Sequence, residues 1–286
     1  MRESVSLTAA DALASPVQSV VPPHVGTKER IVLDHDAVTG ARLKYYLQAA
    51  DVEYWTDLWK QAGETSYVRA SRGHLPHQLR QTFRRWAKRD GRTLEAGCGL
   101  GHFTIAANAL GYQAEGLDWS AETIDTIRKK FPSIPWHVGD VRSLGFATES
   151  FDTVYSPGVC EHFIEGPTAV LSETHRILRR GGVAIVSTPC FNAWQQRHVD
   201  RVTRGGRGPD GEFYQYAFTP DGLTTVLRRI GFEVLQVRPY AALDTFIRDT
   251  GWRLPPRLAH VAAGLMDYVP VVRDWGSTCI WVARKC

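Results

Sequence analysis

The stretch that decides the fold is TLEAGCGLGHFT, residues 93–104. It reads as a short strand, then a glycine-rich turn with Gly97, Gly99 and Gly101, then the start of a helix. Glycine lets a backbone turn tightly and lets a ligand approach where a Cβ would clash. The order strand, glycine turn, helix therefore predicts a ligand-binding turn at the edge of an α/β sheet.

This turn differs from the dinucleotide-binding pattern G-x-G-x-x-G. Its third glycine follows the second by two residues, and His102 stands where that pattern has glycine. Glu95, two residues before the first glycine, would disfavour a pyrophosphate nearby and favour a cationic ligand. A nicotinamide-dependent oxidoreductase is therefore a weaker interpretation of the turn.

Strands and helices alternate on both sides of the turn. A helix at 75–88 comes first, and later helices begin at the N-caps Ser120 and Thr219 or span 166–180. Such alternation predicts a largely parallel sheet with helices on both faces. The predicted strands are 93–97, 113–118, 135–139, 151–156, 183–188, 232–238 and 278–283.

The rest of the chain is interpreted as additions to a domain at 75–286. Residues 1–41 are expected to form an irregular leader. Residues 42–74 are expected to form an N-terminal helical lid, with an aromatic-rich helix over 42–60. Insertions at 190–218 and 240–276 are expected to form a cap, and the second has an amphipathic helical pattern at Leu258, Val261 and Leu265.

Composition excludes several classes of protein. The 286 residues are 43% hydrophobic and 22% charged, which indicates a globular chain and not a disordered one. No apolar run is long enough for a membrane-spanning helix. The net charge of +4 gives little support to nucleic-acid binding. The five cysteines are scattered without CxxC spacing, so we expect no metal site, no disulfide framework and a cytoplasmic location.

The ends of the next two strands define a ligand. Asp118 ends the second strand, where an open α/β sheet places an acid that holds ribose hydroxyls. Trp119 offers an aromatic surface for a purine, and Asp140 follows the third strand, where it can accept from an exocyclic amine. The predicted ligand therefore has a ribose, an adenine and a positive charge, and the turn does not favour a phosphate. S-adenosylmethionine has this combination of groups.

At this point the chain resembles the class I S-adenosylmethionine-dependent methyltransferases, in particular those that act on small molecules. The resemblance covers about residues 75–240. It implies a Rossmann-like seven-stranded sheet with an antiparallel final strand, a lid helix that closes over the cofactor, and caps that bind the substrate. The motifs that carry it are EAGCGLG (95–101), LDWS (117–120), GDV (139–141), FDTV (151–154) and LRRGG (178–182).

The resemblance also implies a set of cofactor-binding residues. In it, Glu95 and the glycine turn hold the amino acid part of the cofactor. Three of the assignments have plainer alternatives: Asp118 as a helix cap, Asp140 as a turn former and Trp119 as a core residue. The full set is Glu95, Ala96, Gly97, Cys98, Gly99, Gly101, Asp118, Trp119, Asp140, Val141 and Ser156.

The catalytic residue is harder to assign. Residues 156–163 face the methyl group in relatives, and His162 is the best candidate for a general base, with a structural histidine as the alternative. Glu161 is a weaker candidate. The acceptor pocket is assigned to Tyr214, Tyr216 and Arg197, with Tyr155 as a further aromatic candidate. Arg197 belongs to a basic run that is either a solvated surface or an anion clamp: Arg197, His198, Arg201, Arg204 and Arg207.

The sequence therefore predicts transfer of a methyl group from S-adenosylmethionine to a small molecule, at oxygen first and nitrogen second. A natural product or a sugar or glycan precursor is the favoured acceptor, because of the cap insertions and because FYQYAFTP at 213–220 is similar to a stretch in methyltransferases of such pathways. The alternatives are a methyltransferase acting on RNA or protein and a non-catalytic cofactor-binding subunit. The oligomeric state is left open.

Overall fold

The computed structural model describes residues 30–47, 49–61, 65–203, 211–242 and 275–286. Its strands are β1 (Arg30–Asp36), β2 (Gly40–Tyr46), β3 (Arg92–Ala96), β4 (Gln113–Asp118), β5 (Trp136–Val138), β6 (Phe151–Pro157), β7 (Leu178–Pro189), β8 (Phe213–Phe218), β9 (Phe232–Tyr240) and β10 (Thr278–Lys285). Its helices are α1 (Val52–Gln61), α2 (Thr65–Ala70), α3 (His77–Trp86), α4 (His102–Ala109), α5 (Ala121–Lys130), α6 (Thr168–Ile177), α7 (Ala193–Arg197), α8 (Val199–Val202) and α9 (Pro220–Ile230).

Seven strands form the main sheet in the order β5-β4-β3-β6-β7-β10-β9. The pairs from β5 to β7 are parallel, and β10 runs antiparallel to both β7 and β9. The predicted α/β class, the seven strands and the antiparallel final strand are confirmed. The order reverses between β3 and β6, and in open α/β sheets ligands bind at such a switch point.

Helices cover both faces of this sheet, as the alternation along β7 shows. Ala184 and Val186 pack in one core cluster with residues of α6 and α9. Val183 and Ile185 pack in a second cluster with residues of α3 and α4. Because successive side chains of a strand point to opposite faces, the two clusters lie on opposite sides of the sheet.

Two helix caps form as the sequence predicts. The Ser120 side chain accepts a hydrogen bond from the Thr123 amide at the start of α5. Thr219 does the same for the Gly222 amide at the start of α9, and Gly231 ends that helix in the left-handed conformation. These caps fix where α5 and α9 begin relative to the sheet.

A second, three-stranded sheet in the order β1-β2-β8 corrects the prediction for the N-terminal region. Residues 30–36 are a strand and not part of an irregular leader, and 40–46 are a strand and not the first half of a helix. The predicted cap at 190–218 likewise contains β8. The helix predicted over 42–60 is correct only from Val52 onward.

The turn between β1 and β2 explains why a hairpin forms there. Asp36 Oδ1 accepts hydrogen bonds from the amides of Val38 (2.9 Å) and Thr39 (2.8 Å), which closes the turn. Gly40 then takes a positive φ of 66°, a conformation that favours glycine. Leu43 and Tyr45 of β2 alternate inward and pack against Tyr214 of β8.

Some predictions concern residues outside the described part of the chain. Most of the leader, Arg204 and Arg207 of the basic run, and the helix predicted around Leu258, Val261 and Leu265 belong there. Among the residues that the structure does describe, no helix is long and apolar enough to cross a membrane.

Candidate active site

A cavity of about 310 Å³ lies at the carboxyl ends of β3, β4, β6 and β7. Trp55 and Trp59 of α1 line it, with their ring centres 5.6 Å apart in a stacked arrangement. Gly97 and Cys98 of the glycine turn and Asp118 at the end of β4 also line it, together with Ser187–Pro189, Tyr240 and Thr278. Most of the predicted cofactor residues meet in this cavity.

The three glycines of the turn all have positive φ, between 48° and 83°. A Cβ on Gly97 would lie 2.4 Å from Val159, and one on Gly99 would lie 2.7 Å from the Trp59 ring. A Cβ on Gly101 would lie 2.5 Å from the Trp136 ring. The glycines are therefore required by the backbone and by close packing of the protein's own side chains.

Glu95 is a buried acid beneath the turn. Its Oε2 accepts hydrogen bonds from the amide (2.9 Å) and the hydroxyl of Thr104 in α4. Burial raises its pKa to about 8, although the bonds from Thr104 oppose the shift. Glu95 thus ties the end of β3 to α4 and places an acid at the cavity wall.

Asp118 ends β4 with its carboxylate in the cavity, and only 6% of the residue is exposed. Its Oδ2 accepts from the Gly99 amide (2.8 Å) and its Oδ1 from the Ser120 amide (3.0 Å). Burial nevertheless raises its pKa. A carboxylate offers about four acceptor positions, so capacity remains for ligand hydroxyls. The arrangement fits a bound ribose.

Of the residues predicted near the adenine, two line the cavity and one does not. Trp119 and Val141 line the cavity, and the Trp119 ring contacts Phe163 edge-on at 6.3 Å. Asp140 is bonded to the Arg142 guanidinium, with its Oδ2 2.7 Å from Nη2, and this bond lowers its pKa. Asp140 is not among the described residues that line the cavity.

The remaining cofactor candidates divide into two groups. Gly97 and Cys98 line the cavity, and their amides donate to the Leu117 carbonyl. Gly99 and Gly101, predicted as cofactor-binding residues of the same turn, are not among the described lining residues. Ala96 and Ser156 lie below it, where the Ser156 hydroxyl donates to the Ala96 carbonyl at 3.0 Å. This bond joins β6 to β3, so Ser156 supports the turn from beneath.

His162 lies in a 3-10 helix at Cys160–His162 and lines the cavity. Its Nδ1 is 2.8 Å from the Tyr214 carbonyl, which can only accept, so Nδ1 carries the proton. Burial lowers its pKa to about 4. At neutral pH the ring is uncharged and Nε2 keeps a lone pair that can accept a hydrogen bond.

Glu161 was ranked below His162 as a candidate in the sequence, but the structure gives it a distinctive place in the site. It lines the cavity, is 1% exposed, and its Oε2 has no hydrogen-bond partner among the described residues. Burial raises its pKa to about 8. Its only sequence signal is its place beside His162 at the end of a strand.

The three predicted acceptor residues are not brought together. Tyr214 lines the cavity. Tyr216 is 1% exposed, its hydroxyl donates to the Ile164 carbonyl (2.9 Å), and the Arg42 guanidinium lies 3.9 Å from its ring centre. Arg197 is exposed at the end of α7. Neither Tyr216 nor Arg197 is among the described lining residues, so both assignments disagree with the geometry.

Other lining residues were missed because they come from segments without a motif. His74, Leu75 and Leu79 precede or begin α3, and Ala241 and Ser277 flank β9 and β10. Their common signal is their place beside strand or helix ends at the carboxyl edge of the sheet. Tyr155, considered from the sequence as a pocket aromatic, lines the cavity.

The two raised carboxyl pKa values predict that the free protein loses stability as the pH rises from 6.5 to 8. Glu95 and Glu161 keep their protons up to about pH 8 when folded, whereas their ordinary pKa is 4.5. The unfolded chain releases these protons first, so each group contributes stability that is full below pH 4.5 and is lost as the pH approaches 8. The loss is up to about 1.4 kcal/mol per pH unit for each group.

The window begins above pH 6.5 because the histidines act in the opposite direction below it. The pKa values of His102 and His162 are lowered to about 4, so their protonation favours the unfolded chain between pH 4 and 6.5. Melting temperatures at pH 6.5 and 8 measure the effect. Glu161→Gln should show a smaller drop than the wild type, and the exposed Glu165→Gln should behave like the wild type. An equal drop in Glu161→Gln contradicts the assignment.

Comparisons with known proteins agree with this geometry. Residues 94–186 match the family described as "Methyltransferase domain". A probable S-adenosylmethionine-dependent methyltransferase of Mycolicibacterium smegmatis is 33% identical over 152 residues, which cover 52% of this chain and 54% of that protein. The malonyl-[acyl-carrier protein] O-methyltransferase of Yersinia pestis is 31% identical over 118 residues, which cover 37% and 44%.

A solved structure shows the same fold. One chain in a complex from Haloferax volcanii that includes the Trm112 methyltransferase activator has a TM-score of 0.55 and 21% identity. The likeness covers 82% of this chain and 97% of that one, and it shows the fold alone. The chain spans about half the length of the curated relatives that it matches.

The matched region, the strand order of the sheet and the acid at the end of β4 all indicate the same class of domain. The chain carries a class I S-adenosylmethionine-dependent methyltransferase domain. This is an enzyme domain of the transferase class, and its cofactor is S-adenosylmethionine.

Proposed function

We propose that the protein transfers a methyl group from S-adenosylmethionine to a small-molecule acceptor, at oxygen first and at nitrogen second. The acceptor that we favour is a natural product or a sugar or glycan precursor. The observation that carries the proposal is the cavity itself: about 310 Å³, lined by aromatic side chains, Trp55 and Trp59 among them. An acceptor has to enter this cavity to meet the bound cofactor, and a small ligand enters it more readily than an RNA strand or a protein surface.

The cofactor residues have proposed roles that follow from their bonds. Asp118 holds ribose hydroxyls with the acceptor positions that Gly99 and Ser120 leave free. Trp119 flanks the adenine, and Glu95 favours the cationic ammonium end of the cofactor from beneath the turn. Asp140 contributes to adenine binding only if its bond with Arg142 opens.

When bound, S-adenosylmethionine supplies a methyl group on a positively charged sulfur. The chain's residues then need to hold the acceptor in line with that methyl group, because orientation supplies much of the acceleration in such displacements. Nε2 of His162 is suited to accept a hydrogen bond from an acceptor hydroxyl or amine. The bond from Nδ1 to the Tyr214 carbonyl keeps the ring in that orientation.

The charges of the cavity support a neutral acceptor. Glu95, Asp118 and Glu161 line it, and no lysine or arginine is among the lining residues that the structure describes. An acceptor with a phosphate or free carboxylate would therefore find no lysine or arginine partner among the described residues of the cavity. The relative from Yersinia pestis is named as an O-methyltransferase of malonyl-[acyl-carrier protein], and this charge pattern favours a different acceptor for the present chain.

The additions around the domain also have proposed roles. We propose that α1 acts as a lid, through Trp55 and Trp59, and that the segments at 190–218 and 240–276 form the substrate cap. Their described contacts with the cavity are Tyr214, Gln215, Tyr240 and Ala241. We also propose a reducing, cytoplasmic location, because all five cysteines are free thiols.

Transfer of a labelled methyl group tests the proposal. The protein is incubated with methyl-tritiated S-adenosylmethionine and, in separate reactions, with small-molecule extract, total RNA and total protein. Label should appear in the small-molecule fraction alone. Label in RNA or protein would favour the macromolecular alternative, and tight cofactor binding without transfer in any fraction would favour a non-catalytic subunit.

A further inference from the structure

Glu161 has a buried carboxyl group that none of the proposed cofactor contacts uses. The residue lines the cavity, and its Oε2 lacks a hydrogen-bond partner in the described part of the chain. A Cβ on Gly158 would lie 3.7 Å from the other oxygen, Oε1, so the carboxyl group lies against the backbone that follows β6. A buried polar atom without a partner is costly. A ligand group that interacts with this carboxyl group removes that cost, and the ligand's affinity increases accordingly.

The described groups that line the cavity with Glu161 do not supply a positive charge. Two further acids, Glu95 and Asp118, line the same cavity, and no lysine or arginine is among its described lining residues. His102 and His162 are neutral at physiological pH because burial lowers the pKa of each to about 4. The titratable groups that line the cavity with Glu161 are Glu95, Asp118, His74, His102, His162, Cys98, Tyr155, Tyr214 and Tyr240.

We propose that Glu161 is the counter-charge for the positive sulfur of bound S-adenosylmethionine, and that it releases a proton when this cation binds. The inference rests on the proposed function, since it requires that the cavity binds this cofactor. It gives the cavity a means to prefer the methyl donor over its demethylated product, S-adenosylhomocysteine. The product has the same ammonium, carboxylate, ribose and adenine, and it lacks only the methyl group and the charge on sulfur.

The burial of Glu161 makes the proton release measurable. Burial raises its pKa to about 8, so the carboxyl group is mostly protonated at pH 7 in the free protein. The amides of Val159 and Glu161 oppose the shift and stabilise the ionised form. A cation nearby favours that ionised form further. The donor should therefore expel the proton, and the neutral product should leave it in place.

Calorimetric titration of the full chain at pH 7, in two buffers of different ionisation enthalpy, measures protons released per ligand bound. The wild type should release about half a proton or more in excess for the donor over the product. Glu161→Gln should abolish this difference. Glu165→Gln, an exposed carboxyl group on the same segment, is the matched control and should retain it.

A second readout is the pH dependence of the two affinities. In the wild type, the ratio of donor affinity to product affinity should rise from pH 6 to 8, by up to about tenfold per unit. In Glu161→Gln the ratio should be flat. The comparison of donor and product in the wild type tests the proposal even if the Glu161→Gln variant does not fold.

The outcomes separate this inference from the proposed function. If the wild type binds both ligands and releases equal numbers of protons, the role of Glu161 is overturned while cofactor binding stands. If the difference persists in Glu161→Gln, Glu95 or Asp118 supplies the counter-charge and the inference is wrong. If neither ligand binds, the proposed function itself fails.

Discussion

Asp118→Ala is expected to weaken the binding of S-adenosylmethionine by about 100-fold or more. Two hydrogen bonds from ribose hydroxyls to a carboxylate contribute about 1.5–3 kcal/mol each, and each 1.4 kcal/mol is about a factor of ten. The carboxylate also accepts from the amides of Gly99 and Ser120, so its loss loosens the glycine turn. Calorimetry with the cofactor measures the change in affinity.

Two variants control this experiment. Asp118→Asn keeps the shape of the side chain and removes the charge, so its affinity should lie between those of the wild type and the alanine variant. Asp125→Ala removes an exposed carboxylate of α5 that pairs only with Arg128 among the described residues, and it should bind like the wild type. An unchanged affinity in a folded Asp118→Ala protein would remove the ribose assignment.

His162→Ala is expected to lower kcat by about 100-fold while the affinity for S-adenosylhomocysteine changes little. The imidazole lies at the cavity wall with Nδ1 held by the Tyr214 carbonyl, so its loss affects the acceptor and not the ribose site. Steady-state rates and cofactor titrations measure the two effects separately. His35→Ala, an exposed histidine of β1, is the control and should leave both values unchanged.

The pH profile distinguishes His162 from an ordinary histidine. Burial lowers its pKa to about 4, so the neutral ring persists well below the usual value of 6.5. The wild-type kcat should therefore show no histidine limb between pH 7 and 5.5. A loss of rate with a midpoint near 6.5 that disappears in His162→Gln would contradict the burial of this ring.

The main sheet could be predicted from the sequence because its signals are local. Each strand is a short apolar run followed by a turn or a cap, and helices such as α5 and α9 begin at Ser120 and Thr219. Glu95 and Asp118 were identifiable for the same reason: each occupies a fixed place relative to the end of its strand. The largest difference is at β7, which begins at Leu178, five residues before the predicted strand, so the helix predicted over 166–180 ends already at Ile177. The other strands differ from the prediction by no more than two residues at their ends.

The small sheet could not be predicted because its pairing is not local. Leu43 and Tyr45 of β2 pack against Tyr214 and Ala217 of β8, which lie far along the chain. The aromatic residues of β2 run on into those of α1, so a helical pattern over the whole segment was the simpler interpretation. Without its partner strand, the alternation over five residues carries little information.

The site predictions failed where a neighbour competes for a side chain. Asp140 was assigned to the adenine, and Arg142, two residues later, holds it instead. Tyr216 was assigned to the acceptor, and the Ile164 carbonyl and the Arg42 guanidinium engage it. Glu161 is the opposite case: the sequence ranked it low, and only the structure shows that its buried Oε2 has no hydrogen-bond partner among the described residues.

The central claim is that this cavity binds S-adenosylmethionine, and side-by-side calorimetry tests it most directly. The protein is titrated with S-adenosylmethionine, with S-adenosylhomocysteine and with a reduced nicotinamide dinucleotide under identical conditions. We expect one molecule of either sulfur ligand bound per chain and no binding of the dinucleotide, because the carboxyl group of Glu95 next to the glycine turn disfavours a pyrophosphate there. Binding of the dinucleotide without binding of the sulfur ligands would contradict the account.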